Sequence, residues 1–131
     1  MKVLALDFGS ARTGVAVSDP TGSVARPVGV VEHAATEEGI ARVLELAQRE
    51  DVELIVVGLP LTLRGERGFQ ADETERFLAS LRAATDLPVQ SFDERFTTKL
   101  ANAAPTRAPE DAAAAAHLLT SYLTWKSTRA T

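Results

Sequence analysis

Hydrophobic residues change period several times along this chain, and the changes mark its elements. Residues 2–7 (Lys2 to Asp7) and 13–18 (Thr13 to Ser18) are short apolar or alternating runs. The turn-rich Gly9, Ser10, Ala11 and Arg12 lie between them, so the pair predicts a β-hairpin. A third β-rich run, Val24 to Val31, follows the turn signal Asp19-Pro20-Thr21-Gly22, and Pro27 within it calls for an edge strand or an irregularity. From Thr36 to Arg49 the period becomes helical: Ile40, Val43, Leu44 and Ala47 share a face, and Glu37 and Glu38 sit in the first turn, where the helix dipole favours them.

A strand of buried type, Glu53 to Val57, comes next and ends at Gly58-Leu59-Pro60, read as a tight turn. After an arginine- and glycine-containing loop, Ala71 to Ala84 reads as a helix with Phe77, Leu78 and Leu81 inward, and Val89 to Phe92 as a short strand closed by Asp93-Glu94-Arg95. Thr97 or Thr98 can cap a short helix. Beyond the breaker region from Pro105 to Pro109, an alanine-rich helix runs from about Glu110 to Trp125. The order is three strands, helix, strand, helix, strand, helices. Strands alternating with helices require right-handed crossovers and a parallel part of the sheet beside the antiparallel hairpin, so the expected fold is a three-layer α/β arrangement.

With 131 residues and no internal repeat, the chain is expected to form one domain, 1–131. It has no cysteine, which excludes a disulfide framework and a thiolate zinc site. Asp7 interrupts the apolar N-terminal run too early for a signal-peptide core or a membrane span, and a cytoplasmic setting without membrane contact is expected. The net charge of −4 speaks against coating nucleic acid through bulk positive charge and leaves room only for a local basic rim.

Three carboxylates stand out. Asp7 ends the first strand, Glu94 follows the last, and Asp111 lies in the first turn of the final helix on the face of Ala114, Ala115 and Leu118. Parallel strands could bring the ends of the first and last strands side by side, and small alanines would let the helix come close enough for a short aspartate to join them. Taken singly, each has an ordinary reading as a turn residue, a surface charge or a helix-dipole partner. Together they form a candidate site for divalent cations, which need several converging carboxylates.

The blocks Leu4-Ala5-Leu6-Asp7-Phe8-Gly9 with Thr13 to Asp19, Val56-Val57-Gly58-Leu59-Pro60-Leu61, Asp93-Glu94-Arg95-Phe96-Thr97-Thr98 and Asp111-Ala112-Ala113-Ala114-Ala115 resemble, in this order, the YqgF family. That family is described as Holliday junction resolvases and, in bacteria, as the nuclease maturing the 5′ end of 16S ribosomal RNA. The resemblance implies a ribonuclease H-like fold with a mixed five-stranded sheet and helices on both faces. It also implies a phosphodiesterase using two divalent cations, Mg2+ or Mn2+, with Asp7 bridging them and Glu94 and Asp111 each holding one. Nucleic acid, as precursor 16S RNA or branched DNA, is then the expected partner of a monomer or weak homodimer. Arg12, Arg64, Arg67 and Arg95 are candidates to hold flanking phosphates, because guanidinium matches phosphate geometry.

Asp93 ranks below Glu94, since neighbours on an extended segment face opposite ways. Similar proteins carry a longer basic stretch where this chain has the alanine- and proline-rich Lys99 to Pro109, which bears on substrate affinity. Two other readings remain. Asp7 to Gly14 also looks like the first phosphate loop of actin-like ATPases and sugar kinases, but those bind nucleotide between two such domains and give Glu94 no task. An interaction module that keeps the fold without turnover is the other. His33 and His117 are read as structural, His117 because it adjoins Leu118 and Leu119 on a helix that must pack.

Overall fold

The computed structural model describes residues 1–61, 68–96 and 110–129. Strands β1 (Val3–Asp7), β2 (Arg12–Ser18), β3 (Ala25–Glu32), β4 (Leu54–Leu59) and β5 (Val89–Asp93) form one sheet in the order β3-β2-β1-β4-β5. The first three pair antiparallel, whereas β1–β4 and β4–β5 are parallel. Helices α1 (Glu37–Arg49), α2 (Phe69–Ala84) and α3 (Glu110–Arg129) complete the fold, and a single 3-10 turn, Glu94–Phe96, follows β5. This is the mixed five-stranded, three-layer arrangement expected. The short helix expected near Thr97 lies outside the described residues.

Strand periodicity divides the core in two. Leu4, Leu6, Val15, Val17, Ile55 and Val57 face α1 and α2, where they meet Val43, Leu46, Phe77, Leu78 and Leu81. The alternate residues Val3, Ala5, Ala16, Leu54, Val56 and Phe92 face α3 and pack on Ala115, Leu118, Leu119 and Tyr122. Small residues dominate the centre of this second face, so α3 lies close to the sheet. Asp7 continues the series Val3, Ala5 and therefore belongs to the α3 side.

Pro27 sits in β3, an edge strand, at a register shift that pairs Val15 with Gly29 and Ala16 with Pro27. The bulge accommodates the residue that cannot donate to the ladder. Two elements run past their expected limits. Helix α2 begins at Phe69, outside its apolar stripe, with that ring 75% exposed. Helix α3 continues to Arg129, whose guanidinium lies 4.7 Å from the Trp125 ring centre.

Helix α1 has signals at both ends. Gly39 N donates to the Thr36 hydroxyl at 3.0 Å, an N-cap bond. At the other end Asp51 N donates to Gln48 O and Val52 N to Ala47 O, both at 3.1 Å. Asp51 takes a φ of 58°, so it occupies the left-handed position of a Schellman closure that glycine usually fills. An L-residue there costs roughly 1–2 kcal/mol, which glycine avoids while losing part of the gain to chain entropy. Asp51→Gly should therefore stabilise the protein by about 0.5 kcal/mol in urea denaturation, with an unchanged m-value.

Candidate active site

Asp7 has a glycine on each side. Gly14 of β2 is its direct antiparallel partner, and Gly58 of β4 lies one step beyond the last paired residues, Leu6 and Val57. Both spaces are filled by groups from elsewhere. A Cβ on Gly14 would come 1.8 Å from the backbone oxygen of Asp111, so the first turn of α3 rests directly on β2. A Cβ on Gly58 would come 2.7 Å from Glu94 Oε1 and 3.0 Å from Leu118 Cδ2, so the Glu94 carboxyl lies over β4.

This arrangement corrects two expectations. The ends of β1 and β5 are not adjacent, because β4 runs between them, and Glu94 meets Asp7 by crossing the gap at Gly58. Gly58 is also not a turn residue, since β4 continues through Leu59. Phe8, on the face opposite Asp7, stacks on Phe77 of α2 with ring centres 4.5 Å apart and anchors the strand end. In the turn that follows, a Cβ on Gly9 would come 2.5 Å from the Arg12 carbonyl oxygen, so the chain folds back on itself.

Glu94 and Asp7 are hydrogen-bonded through their side chains. Burial is the largest influence on both carboxyls and raises both. Glu94 is pushed up to about 7 by burial, then by the charge of Asp7, their shared hydrogen bond and the charge of Asp93. Asp7 is raised by burial and by the charge of Asp111, and lowered by the bond from Glu94. Glu94 is thus the member that carries the proton and donates it to the Asp7 carboxylate. A pair of hard oxygen donors that shares one proton near neutrality suits a divalent cation, which would replace the proton and hold both oxygens.

Asp111 approaches the pair closely enough to influence Asp7, but its own carboxylate pairs with Arg12, Nε to Oδ2 at 3.3 Å. Among the described residues, no group of three or more acidic or histidine side chains lies at metal-holding spacing. The sequence-predicted trio is therefore present as a hydrogen-bonded pair with Asp111 at its margin. The predicted phosphate contacts are distributed differently. Arg12 stands beside Asp111, and Arg95 folds back on Asp93, with Nε 3.0 and 2.9 Å from the two carboxylate oxygens and Nη2 at 2.5 Å. The Asp93 carboxyl is lowered from its ordinary value by the hydrogen bond from that guanidinium. Arg64, Arg67 and the Lys99–Pro109 segment lie outside the described residues.

A cleft of about 490 Å³ opens beside the pair, with Asp7 and Glu94 against Glu110, Ala113, Ala114, His117 and Leu118 of α3. His117, read from sequence as a packing residue, is a wall of this cleft. Its signal was available: it falls seven residues after Glu110 and three and four after Ala114 and Ala113, on one helical stripe. A second, more polar hollow of about 250 Å³ touches Asp7 and Glu94 from the α2 side, where Gln70, Glu73 and Thr74 line it.

Among solved structures, Thermus thermophilus RuvC in complex with a Holliday junction substrate matches 98% of this chain and 96% of its own, with a TM-score of 0.69 at 21% identity. The mixed sheet with helices on both faces is thus the ribonuclease H-like fold of the RuvC type, and with its strand-end acids the chain falls in that class of nucleases. Residues 1–125 match the family described as RuvX, Holliday junction resolvase. A Chloroflexus aurantiacus relative named pre-16S rRNA nuclease is 41% identical over 130 residues, covering 92% of this chain and 85% of that protein. One of the same name from Syntrophomonas wolfei is 36% identical over 132 residues, covering 94% of each. The chain belongs to the RuvX family, the one its sequence blocks resemble under the name YqgF, and it is a nuclease, a hydrolase of phosphodiester bonds.

The glycines and the acid pair each yield a test. Gly58→Ala should cost about 1–2 kcal/mol, because the ends of two side chains can move aside. Gly14→Ala should cost about 3 kcal/mol, since backbone opposes the new methyl. Chemical denaturation ranks the two, and the reverse order would show that α3 yields more readily than Glu94.

The second test follows the proton. An unfolded glutamate ionises near 4.5, whereas Glu94 in the fold keeps its proton to about 7. Between these values the native state binds more protons than the unfolded chain, so stability falls as pH rises through that window. In chelator the loss should be about 2 kcal/mol between pH 5 and 8, allowing for partial solvent screening. Asp7→Asn should make the slope shallower without abolishing it, because burial, the largest influence on Glu94, remains, and should be the more stable protein at pH 8. Equal slopes in urea titrations of wild type and variant would remove the pair as their source.

Proposed function

We propose that this nuclease cleaves RNA at the 5′ end of the 16S ribosomal RNA precursor, with Asp7, Glu94 and Asp111 as its metal-binding carboxylates. The observation that carries this reading is the half-buried Asp7–Glu94 pair, sharing a proton near neutrality at the edge of an open cleft. Acids crowded in this way cost stability and are retained where their charge is used. The names of the relatives supply the substrate.

When bound, Mg2+ or Mn2+, two ions on this reading, neutralise the carboxylates and stabilise charge on the phosphoryl group and leaving oxygen. The chain's own contribution is to hold the acids. Gly58 and Gly14 admit Glu94 and the start of α3 to either side of Asp7, and the Phe8–Phe77 stack keeps the strand end in place. Asp111 would reach the ions by exchanging its contact with Arg12, which frees that guanidinium for a phosphate. Arg12, Arg64, Arg67 and Arg95 are the flanking-phosphate contacts of this proposal. Among the described residues no helix is long and apolar enough to cross a membrane, and the reading places the protein in the cytoplasm, as a monomer or weak homodimer.

A four-way DNA junction is the second substrate to be weighed, because the family description and the RuvC-like fold both favour it. Purified protein should be given Mg2+ or Mn2+ with precursor 16S RNA and, in parallel, with a four-way junction. Metal-dependent cleavage of the RNA near its mature 5′ end is the expected result, and Asp7→Asn should lower it by more than about a hundredfold while remaining folded. Cleavage of the junction alone would transfer the assignment to DNA. No cleavage of either would leave an interaction module.

A further inference from the structure

Helix α3 turns two stripes in different directions. Ala112, Ala115, Leu119 and Tyr122 face the sheet, whereas Glu110, Ala114 and His117 line the cleft beside Asp7 and Glu94. The alanine makes that wall low, so the half-buried His117 imidazole is its largest polar group.

The chemistry of the cleft sets His117 apart. Among the described residues, the other ionisable side chains lining it are Asp7, Glu94 and Glu110; ionised carboxylates accept hydrogen bonds but donate none, and the proton that Glu94 keeps is directed at Asp7. The phosphates of a nucleic-acid strand bring more negative oxygen, which also accepts and does not donate. Of the arginines near the site, Arg12 engages Asp111 and Arg95 engages Asp93. An imidazole has at least one N–H in either protonation state, and none of the described residues hydrogen-bonds to that of His117.

We propose that His117 is a substrate-contacting residue of this nuclease, donating a hydrogen bond from its imidazole N–H to a phosphate oxygen of the strand lying in the cleft. The proposal rests on the nuclease reading above and deepens it. The contact is to the backbone, so it strengthens binding of unrelated sequences alike and leaves base preference unchanged. It also identifies the α3 side of the carboxylate pair as the path of the strand.

Two variants of similar bulk separate donation from packing. His117→Leu fills the space and cannot donate, whereas His117→Gln keeps an amide N–H at a similar reach. Three measurements apply to the full-length protein: kcat/KM for Mn2+-dependent cleavage of precursor RNA, RNA affinity by filter binding in an Asp7→Asn background, and Mn2+ affinity by titration. Leu should weaken RNA binding and lower kcat/KM about tenfold, the scale of one hydrogen bond to a charged group, and Gln should recover to within about threefold of wild type. Mn2+ affinity should stay the same in all three proteins.

Equal RNA affinity for Leu and wild type would overturn the proposal, as would equal defects in Leu and Gln, which indicate a packing role. A wild type that cleaves normally while its His117 variants are unaffected sinks this inference and leaves the nuclease standing. A wild type that binds RNA without cleaving it refutes the proposed reaction, and the binding arm still decides His117. Without binding or cleavage, both fall.

Discussion

Asp7 can accept the Glu94 proton and feel Asp111 because the residues on either side of it have no side chains. In a sheet, the neighbours of a strand-end residue normally project beside it and keep other elements at a distance. Here Gly14 and Gly58 leave two notches in the face toward α3. One receives the backbone of Asp111 and the other the carboxyl of Glu94. Larger residues at either position would separate the acids, and the α3-facing end of the sheet would be ordinary core. The turn after β1, the path of β5 and the closeness of α3 all serve this one packing arrangement.

That arrangement opposes the electrostatics it creates. Placing Glu94 partly out of water beside two aspartates makes its charged form unfavourable, and the pair responds by keeping a proton. The fold withstands this because the strain is confined to one end of the sheet, while two apolar layers on either side of the strands supply the bulk of stability. A site of this kind is poised for positive charge. The chain is acidic overall and supplies little of that charge from its own described side chains, so a cation and the strand it accompanies become partners in neutralising the same cluster.

Helix α3 joins the structural and chemical parts. Its alanines and leucines cover the small residues of the sheet, its first turn delivers Asp111, and its outer stripe forms the wall of the cleft. A helix devoted to packing alone would need neither Glu110 nor His117 on that stripe.

The alternation of Val3-Leu4-Ala5-Leu6, the helical period of Ile40, Val43 and Ala47, and the breakers at Asp19-Pro20 and Pro105 determined the element order and the three-layer fold, because these patterns are local and each names its own buried face. Asp7, Glu94 and Asp111 stood out for the same reason, Asp7 and Glu94 as acids where strands end and Asp111 as an acid where the final helix begins. The strand order was not local information. Adjacency of the β1 and β5 ends was a reasonable inference from parallel strands, yet the insertion of β4 between them follows from how the crossovers close. The meaning of Gly14 and Gly58 depended on that order, since a glycine in a strand looks like a turn or a weak point until its neighbours are known. Only the tertiary structure showed that Arg12 pairs with Asp111 and Arg95 with Asp93, and that His117 faces the cleft instead of the core. Partners of charged side chains are chosen among residues distant in sequence, by distances that no periodicity encodes.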